Sequence, residues 1–269
     1  MENPEQSRED EWIERVKSKG SVPYIDPEHC PDSNCWISPP ANIFMVRGSQ
    51  YQKTKEKIPG DDYLLKPLGF DWIKGPAKIS ELLKNPKNHI RRALDETKSR
   101  QHRKPFVWAF NFQLPTSDNN SIVMYFVDTD GRKSNENPLI KKFLNGDDGF
   151  KNSRLKLMVN IVKGPWAVKK AVARQAICLI GKWLTCKYYR GEDFIEVDMD
   201  VGSSMFSTAI VRLAFGYFAT MTVDMAYVIE GQDAAELPEQ MLGAVRFSGI
   251  DPAAAKPVEL PSQGAAIEQ

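Results

Sequence analysis

The sequence predicts an α+β protein: a mainly antiparallel, curved sheet with one long, enclosed apolar helix and several short helices. Three observations lead there. Residues Phe106 to Leu114 alternate between large apolar side chains and smaller or polar ones, which is the period of a strand. Strand-like runs succeed one another across short polar turns, as hairpins do. Residues Ser203 to Phe218 carry the longest helical pattern and are apolar on nearly every face, which points to an enclosed helix.

Residues 1–11 hold five acids against Arg8 and read as a flexible acidic tail. Trp12, Ile13 and Val16 share the spacing of a short amphipathic helix. Ile43 to Arg47 is an apolar run stopped by Gly48, a strand signal. Residues 77–97 read as two short helices, the first with Ile79, Leu82 and Leu83 on one face, the second starting at Pro86 with Asn85 as cap. In the strand that follows, Phe106, Trp108, Phe110, Phe112 and Leu114 point one way and Val107, Ala109, Asn111 and Gln113 the other. A polar turn joins it to Ile122–Val127 as a hairpin.

Leu155–Val162 is a strand ended by Gly164-Pro165, and Trp166–Ala173 a short helix. Ile177–Tyr189 and Phe194–Met199 form a second hairpin. After the apolar helix, Thr220–Ile229 is a β-branched strand. Pro238–Leu242 is a helical turn with Pro at its start and Gly243 after it, and Ala244–Ile250 is a last strand. No internal linker divides residues 12–251, which read as one domain. Residues 252–269 lack an apolar period and read as a disordered tail.

The 269 residues include 36 basic and 35 acidic ones, a net charge of +1. That balance argues against a dedicated nucleic-acid binder. Four cysteines are too few for a disulfide scaffold of this length, and reduced thiols are the simpler reading. No signal peptide is evident in the acidic, polar N-terminal stretch, and the longest uncharged apolar run, Leu213–Val223, is too short to span a bilayer. A cytoplasmic protein is expected, with peripheral membrane contact left open.

Several segments, in order, resemble one known family. They are Val46-Arg47-Gly48-Ser49-Gln50-Tyr51, Asn111-Phe112-Gln113-Leu114-Pro115, Phe150 to Leu157, Lys163 to Val168, Phe194 to Ser204, Val223 to Tyr227, and Glu236-Leu237-Pro238-Glu239 followed by Leu242-Gly243. With Trp36, they look like the C-terminal domain of the plant Enhanced Disease Resistance 2 proteins, over about Trp36 to Asp251. The resemblance implies a lipid-linked context, because the longer members carry pleckstrin-homology and START modules ahead of this domain and restrain defence responses. It supplies no catalytic residues.

Three features could carry chemistry. Trp108, Phe110, Phe112, Phe206, Ile210 and Phe215 would either line a cavity for a lipid or other apolar ligand, in a START-like helix-grip arrangement, or fill a solid core. The stretch Lys84–Lys104 holds eight basic residues against Asp95 and Glu96. Within it Lys87, Arg91, Arg92, Arg100, Arg103 and Lys104 form a candidate surface for anionic headgroups or a protein partner, unless they are simply a solvated face. Glu196, Asp198 and Asp200 share one strand face and could ligate Mg²⁺ or Ca²⁺. The simpler account makes them a solvated strand face ending in a helix cap at Asp200 or Ser203.

The pattern of His29, Cys30 and Cys35 is too irregular for zinc, and Cys178 and Cys186 read as buried thiols. No phosphate-binding glycine loop or nucleophile elbow is present. The reading is therefore a non-enzymatic binding module without a cofactor, regulatory in a membrane-linked or defence context. A solid-core interaction domain and a metal-dependent enzyme using the acidic strand are the alternatives.

Overall fold

The computed structural model of the chain describes residues 4–25, 33–98, 105–129, 131–172 and 176–258. Helix α1 (Pro4–Lys17) is followed by β1 (Cys35–Ile37), β2 (Met45–Arg47), the helical turn α2 (Tyr51–Thr54), β3 (Lys57–Pro59) and β4 (Lys66–Lys74). Helix α3 (His89–Lys98) precedes a hairpin of β5 (Phe106–Gln113) and β6 (Ser121–Asp128). Short helices α4 (Arg132–Glu136), α5 (Pro138–Asn145) and α6 (Asp148–Asn152) lead to β7 (Leu155–Lys163), α7 (Trp166–Val172), β8 (Ala176–Leu179), α8 (Ile180–Trp183) and β9 (Thr185–Arg190). Then come β10 (Phe194–Asp200), α9 (Met205–Phe215), β11 (Thr222–Ile229), β12 (Met241–Ser248) and β13 (Lys256–Pro257).

The expected mixture of antiparallel strands and helices is present, but the strands make two large sheets instead of one. The first, ordered β1-β12-β11-β7-β8, is antiparallel throughout. The second, ordered β13-β4-β6-β5-β10-β9, is antiparallel except where β10 runs parallel to β5 and β13 to β4. Strands β2 and β3 pair separately.

The two large sheets pack face to face. Phe110 of β5 stacks on Tyr227 of β11, ring centroids 3.8 Å apart and planes 6° from parallel. Trp108 stacks on Phe143 of α5 at 5.9 Å. The opposite side of β5, Val107 and Ala109, packs with Trp12 and Ile13 of α1 and Ile90 and Leu94 of α3. On the far side of the other sheet, Met158, Ala226 and Val228 cluster with Phe44 and Val46. The central strands are thus covered on both faces, and every residue of β5, β6 and β11 is buried.

Several expectations change. The first of the two helices expected in 77–97 is reduced to one 3₁₀ turn, Leu82–Lys84. Its backbone is claimed by the sheet: Asn111 and Gln113 both donate to the Ile79 carbonyl, at 2.9 and 2.7 Å, and Glu196 accepts from the Leu82 and Leu83 N–H groups. The second helix is capped by Asn88, whose Oδ1 accepts from Ile90 and Arg91; Asn85 instead closes the turn before it.

The single strand expected over Ile177–Tyr189 is two strands in different sheets, β8 on β7 and β9 on β10. The chain crosses between sheets at α8, where a Cβ on Gly181 would sit 2.4 Å from the Asn152 Cα. Residues 238–242 are not helical. The Met241 and Leu242 carbonyls accept from Leu64 and Leu65, and Glu239 is buried against Arg47 and Lys156, so tertiary partners override the Pro and Gly signals. At the ends, α1 begins at Pro4, inside the segment expected to be a tail. Past residue 251, β13 pairs with β4 and the Val258 N–H donates to the Lys74 carbonyl. The rest of that expected tail, 259–269, lies outside the described residues.

The largest change concerns the apolar helix. It runs over Met205–Phe215, with a 3₁₀ turn at Phe218–Thr220, and it is not enclosed. Only Ala214 is buried within it, while Met205 is 90% exposed and Phe206 59%. Its all-round apolarity arises because one face covers the interior and another, apolar apart from Arg212, faces outward.

Inter-sheet packing depends on a missing side chain at one point. A Cβ on Gly243 of β12 would lie 2.5 Å from the buried Phe126 ring of β6. Gly243→Ala should therefore destabilise the fold by about 1–3 kcal/mol, because the ring has no room to retreat. Urea unfolding of the two proteins checks this.

Candidate functional site

The two sheets do not fill the space between them evenly. Near Phe110, Phe126 and Tyr227 large rings meet across the gap. Toward the other end most of the facing residues are aliphatic, among them Ile122 of β6, Leu157, Val159 and Ile161 of β7, and Val223 and Met225 of β11, with Phe112 of β5 and Phe247 of β12 beside them. There the sheets leave a groove of about 470 Å³. Helices α7 and α9 pack on each other over it, and α8 forms a further wall. The volume lies within the range of about 300–1,000 Å³ usual for ligand pockets.

The lining is almost wholly apolar. Ser207 contributes the sole hydroxyl among the described lining residues and Cys178 the sole thiol. Burial pushes the Cys178 thiol up to about 11, which leaves it protonated and weakly nucleophilic at neutral pH. Cys186, expected on the same strand face as Cys178, belongs to the other sheet, and its burial raises its thiol to about 12.

Of the six aromatic and aliphatic residues singled out from the sequence, Phe112, Phe206 and Ile210 line this groove. Trp108 and Phe110 lie outside it, fully buried in the aromatic part of the core. Phe215 is not among the lining residues and packs on Trp72 and on Phe218, which is. Sequence reasoning missed the β7 and β11 walls and the α7 and α8 residues Val168, Val172 and Trp183. The period-two patterns of β7 and β11 mark one face of each strand. They carry no sign that the opposing wall stands too far away to be touched.

The acidic strand face is not solvated. Glu196 and Asp198 are buried and only Asp200 is partly exposed. Because β10 lies parallel to β5, Asp198 stands opposite Asn111, whose amide donates to Asp198 Oδ1 at 2.8 Å. The Glu196 carboxylate is taken by the Leu82 and Leu83 N–H groups at 2.8 and 2.9 Å. Asp200 bonds Lys78 at 2.5 Å and caps Gly202. Ser204, not Ser203, caps α9 by accepting from Ser207. The three acids together strap residues 78–84 across the sheet. Among the described residues, no three His, Cys, Asp or Glu side chains converge as a metal site would require.

The basic stretch is also divided. Arg91 is buried, with a two-pronged ion pair to Asp193 and a further pair to Asp95, so it cannot reach an external anion. Lys87 and Arg92 line a polar cleft of about 550 Å³ shared with Lys19, Asp71, His89 and Lys256. Arg100, Arg103 and Lys104 lie outside the described residues.

Fold and groove define a class: a two-sheet α+β protein with an apolar groove roofed by helices. Comparison with known proteins supplies the family. The family model described as "Protein ENHANCED DISEASE RESISTANCE 2, C-terminal" matches residues 36–251. A protein from Arabidopsis thaliana named "Protein ENHANCED DISEASE RESISTANCE 2-like" is 33% identical over 232 residues, which are 86% of this chain and 30% of that protein. The chain belongs to the Enhanced Disease Resistance 2 C-terminal family and spans under a third of the length of that relative. No solved structure matches it. Among the described residues, no helix is long and apolar enough to cross a membrane.

The buried acids make stability depend on pH. Burial first, then the neighbouring Asp198 carboxyl, push Glu196 up to about 8 against the downward pull of the two N–H groups; burial raises Asp198 as well. Below the ordinary carboxylate range both folded and unfolded chains hold these protons and no difference arises. Between that range and about 8 the folded chain retains protons the unfolded chain has released, so stability falls as pH rises. Asp198→Asn removes one of the two charges and replaces Oδ2, an oxygen without a donor, by an N–H₂ group. The variant should lose less stability than the parent between pH 5 and pH 9, by on the order of 2 kcal/mol, in thermal unfolding followed across that range.

Proposed function

We propose that the chain is a binding module for a lipid chain or another elongated apolar molecule, held in the groove between the two sheets. The observation that carries the reading is the groove itself: about 470 Å³ walled by aliphatic and aromatic side chains. Open apolar surface of this kind is costly to leave in water, and an apolar occupant removes that cost. The reading is one of binding: the described lining residues are apolar side chains with one hydroxyl, Ser207, and one thiol, Cys178, that burial keeps protonated. A regulatory role in disease resistance follows only from the name of the Arabidopsis relative, and is part of the proposal.

The competing reading, a partner-binding domain with a filled core, makes a different prediction for a groove-filling substitution. Val159 lines the groove from β7 and is partly exposed. Val159→Trp should weaken binding of a fluorescent fatty acid by about ten-fold or more, while costing less than the roughly 1–3 kcal/mol of an overpacked core. Displacement titration and thermal unfolding read the two effects. Strong destabilisation, with no fatty-acid binding by the parent protein, would remove the ligand reading.

A further inference from the structure

The exposed apolar side chains are not scattered. Eleven large ones are exposed among the described residues, and eight of them fall between Val162 and Tyr217, on the elements around the groove. Trp166 of α7 is 73% exposed and Trp183 of α8 53%. Trp183 lies against Phe206 at the start of α9, ring centroids 6.0 Å apart, and both residues line the groove. Met205, the most exposed of the group, precedes Phe206. Large exposed apolar patches of this kind mark interaction surfaces.

Charge selects the partner. Residues 154–191 contain no Asp or Glu, and neither do residues 201–223. The exposed cations in this region include Lys169 and Lys170 on α7, Lys182 on α8 and Arg212 on α9. Lys170 Nζ sits 5.0 Å from the centre of the Trp166 ring, so cation and indole share one spot on the surface. Tryptophan favours the boundary between water and hydrocarbon, and each Lys or Arg held at an anionic leaflet contributes about 1 kcal/mol. In a chain whose net charge is only +1, helices α7, α8 and α9 themselves carry no Asp or Glu.

We propose that the helical rim of the groove is a docking face for an anionic lipid bilayer, with Trp166 and the Met205–Phe206 end of α9 entering the interfacial layer and the cations of α7, α8 and α9 meeting the headgroups. The groove then opens toward the membrane, and an apolar ligand passes between bilayer and protein without crossing water. Only that last step rests on the apolar-ligand reading; the docking face stands without it.

The test uses the whole chain in flotation with vesicles of phosphatidylcholine, alone and mixed with phosphatidylserine. The parent protein should float with the mixed vesicles, less so as salt is raised. Trp166→Ala combined with Met205→Ala touches neither core nor groove lining and should weaken vesicle binding by about ten-fold, as should Lys170→Glu with Lys182→Glu. Val159→Trp should float like the parent protein while binding fatty acid about ten-fold more weakly, which separates loss of docking from loss of the ligand site. Absence of flotation by the parent, or flotation unchanged by either rim variant, overturns the proposal. So does a dimer in solution that the Trp166 and Met205 substitutions dissociate, since the face would then belong to a second copy of the chain.

Discussion

The stack of Phe110 on Tyr227 sets the relation between the two sheets. The rings lie nearly parallel at 3.8 Å, with Phe126 edge-on to both. Aromatic contacts of this type add about 0.5–1.5 kcal/mol to the burial of the rings themselves. They also fix a thickness. Facing sheets pack about 10 Å apart, a distance large rings can fill from both sides. Where the facing residues become Ile122, Val159 and Val223, the same separation is too wide for them, and the groove is the remainder. Helices α7 and α9 lie over that gap because their apolar faces have a void to cover there.

The sheets must also hold what lies outside them, and polar groups do this. On the helix side, Asn111, Gln113, Glu196 and Asp200 bind the backbone or side chains of residues 78–83. On the far side of the other sheet, Glu239 accepts from the Arg47 N–H and from Lys156, Glu230 pairs with Arg47, and Glu236 with Arg154. Breaking one partner of such a buried set leaves an uncompensated charge, so these residues specify geometry even where their net contribution to stability is small. Several of the segments that carry the family resemblance, those around Arg47, Arg154 and Glu236 to Glu239, meet in this one network. There they hold strands and loops of distant sequence together.

Repeating patterns were legible in the sequence. The alternation in β5 identified both of its sides, the β5–β6 and β9–β10 hairpins followed from turn residues, and the apolar spacing of Trp12, Ile13 and Val16 marked α1. Three of the groove residues, Phe112, Phe206 and Ile210, were found because they combine a regular period with large apolar side chains. Segments whose backbone partners lie far away in sequence were misread. Residues 77–84 have a helical spacing, yet their N–H and C=O groups bind side chains from β5 and β10. Residues 238–242 have the Pro and Gly of a short helix, yet Leu64 and Leu65 claim the carbonyls.

The sequence by itself determined the mixture of strands and helices, the family, the period of each regular strand, and the absence of acids around the long apolar helix. Tertiary structure alone decided that the strands form two sheets, that Glu196 and Asp198 are interior, and that α9 roofs a groove with its other side exposed. The physical reason is the range of the forces that leave traces in a sequence. Side-chain period and turn chemistry act between near neighbours along the chain. The width of a gap between two walls, and which far-off group accepts a given hydrogen bond, depend on residues a hundred positions apart, and no local pattern records them.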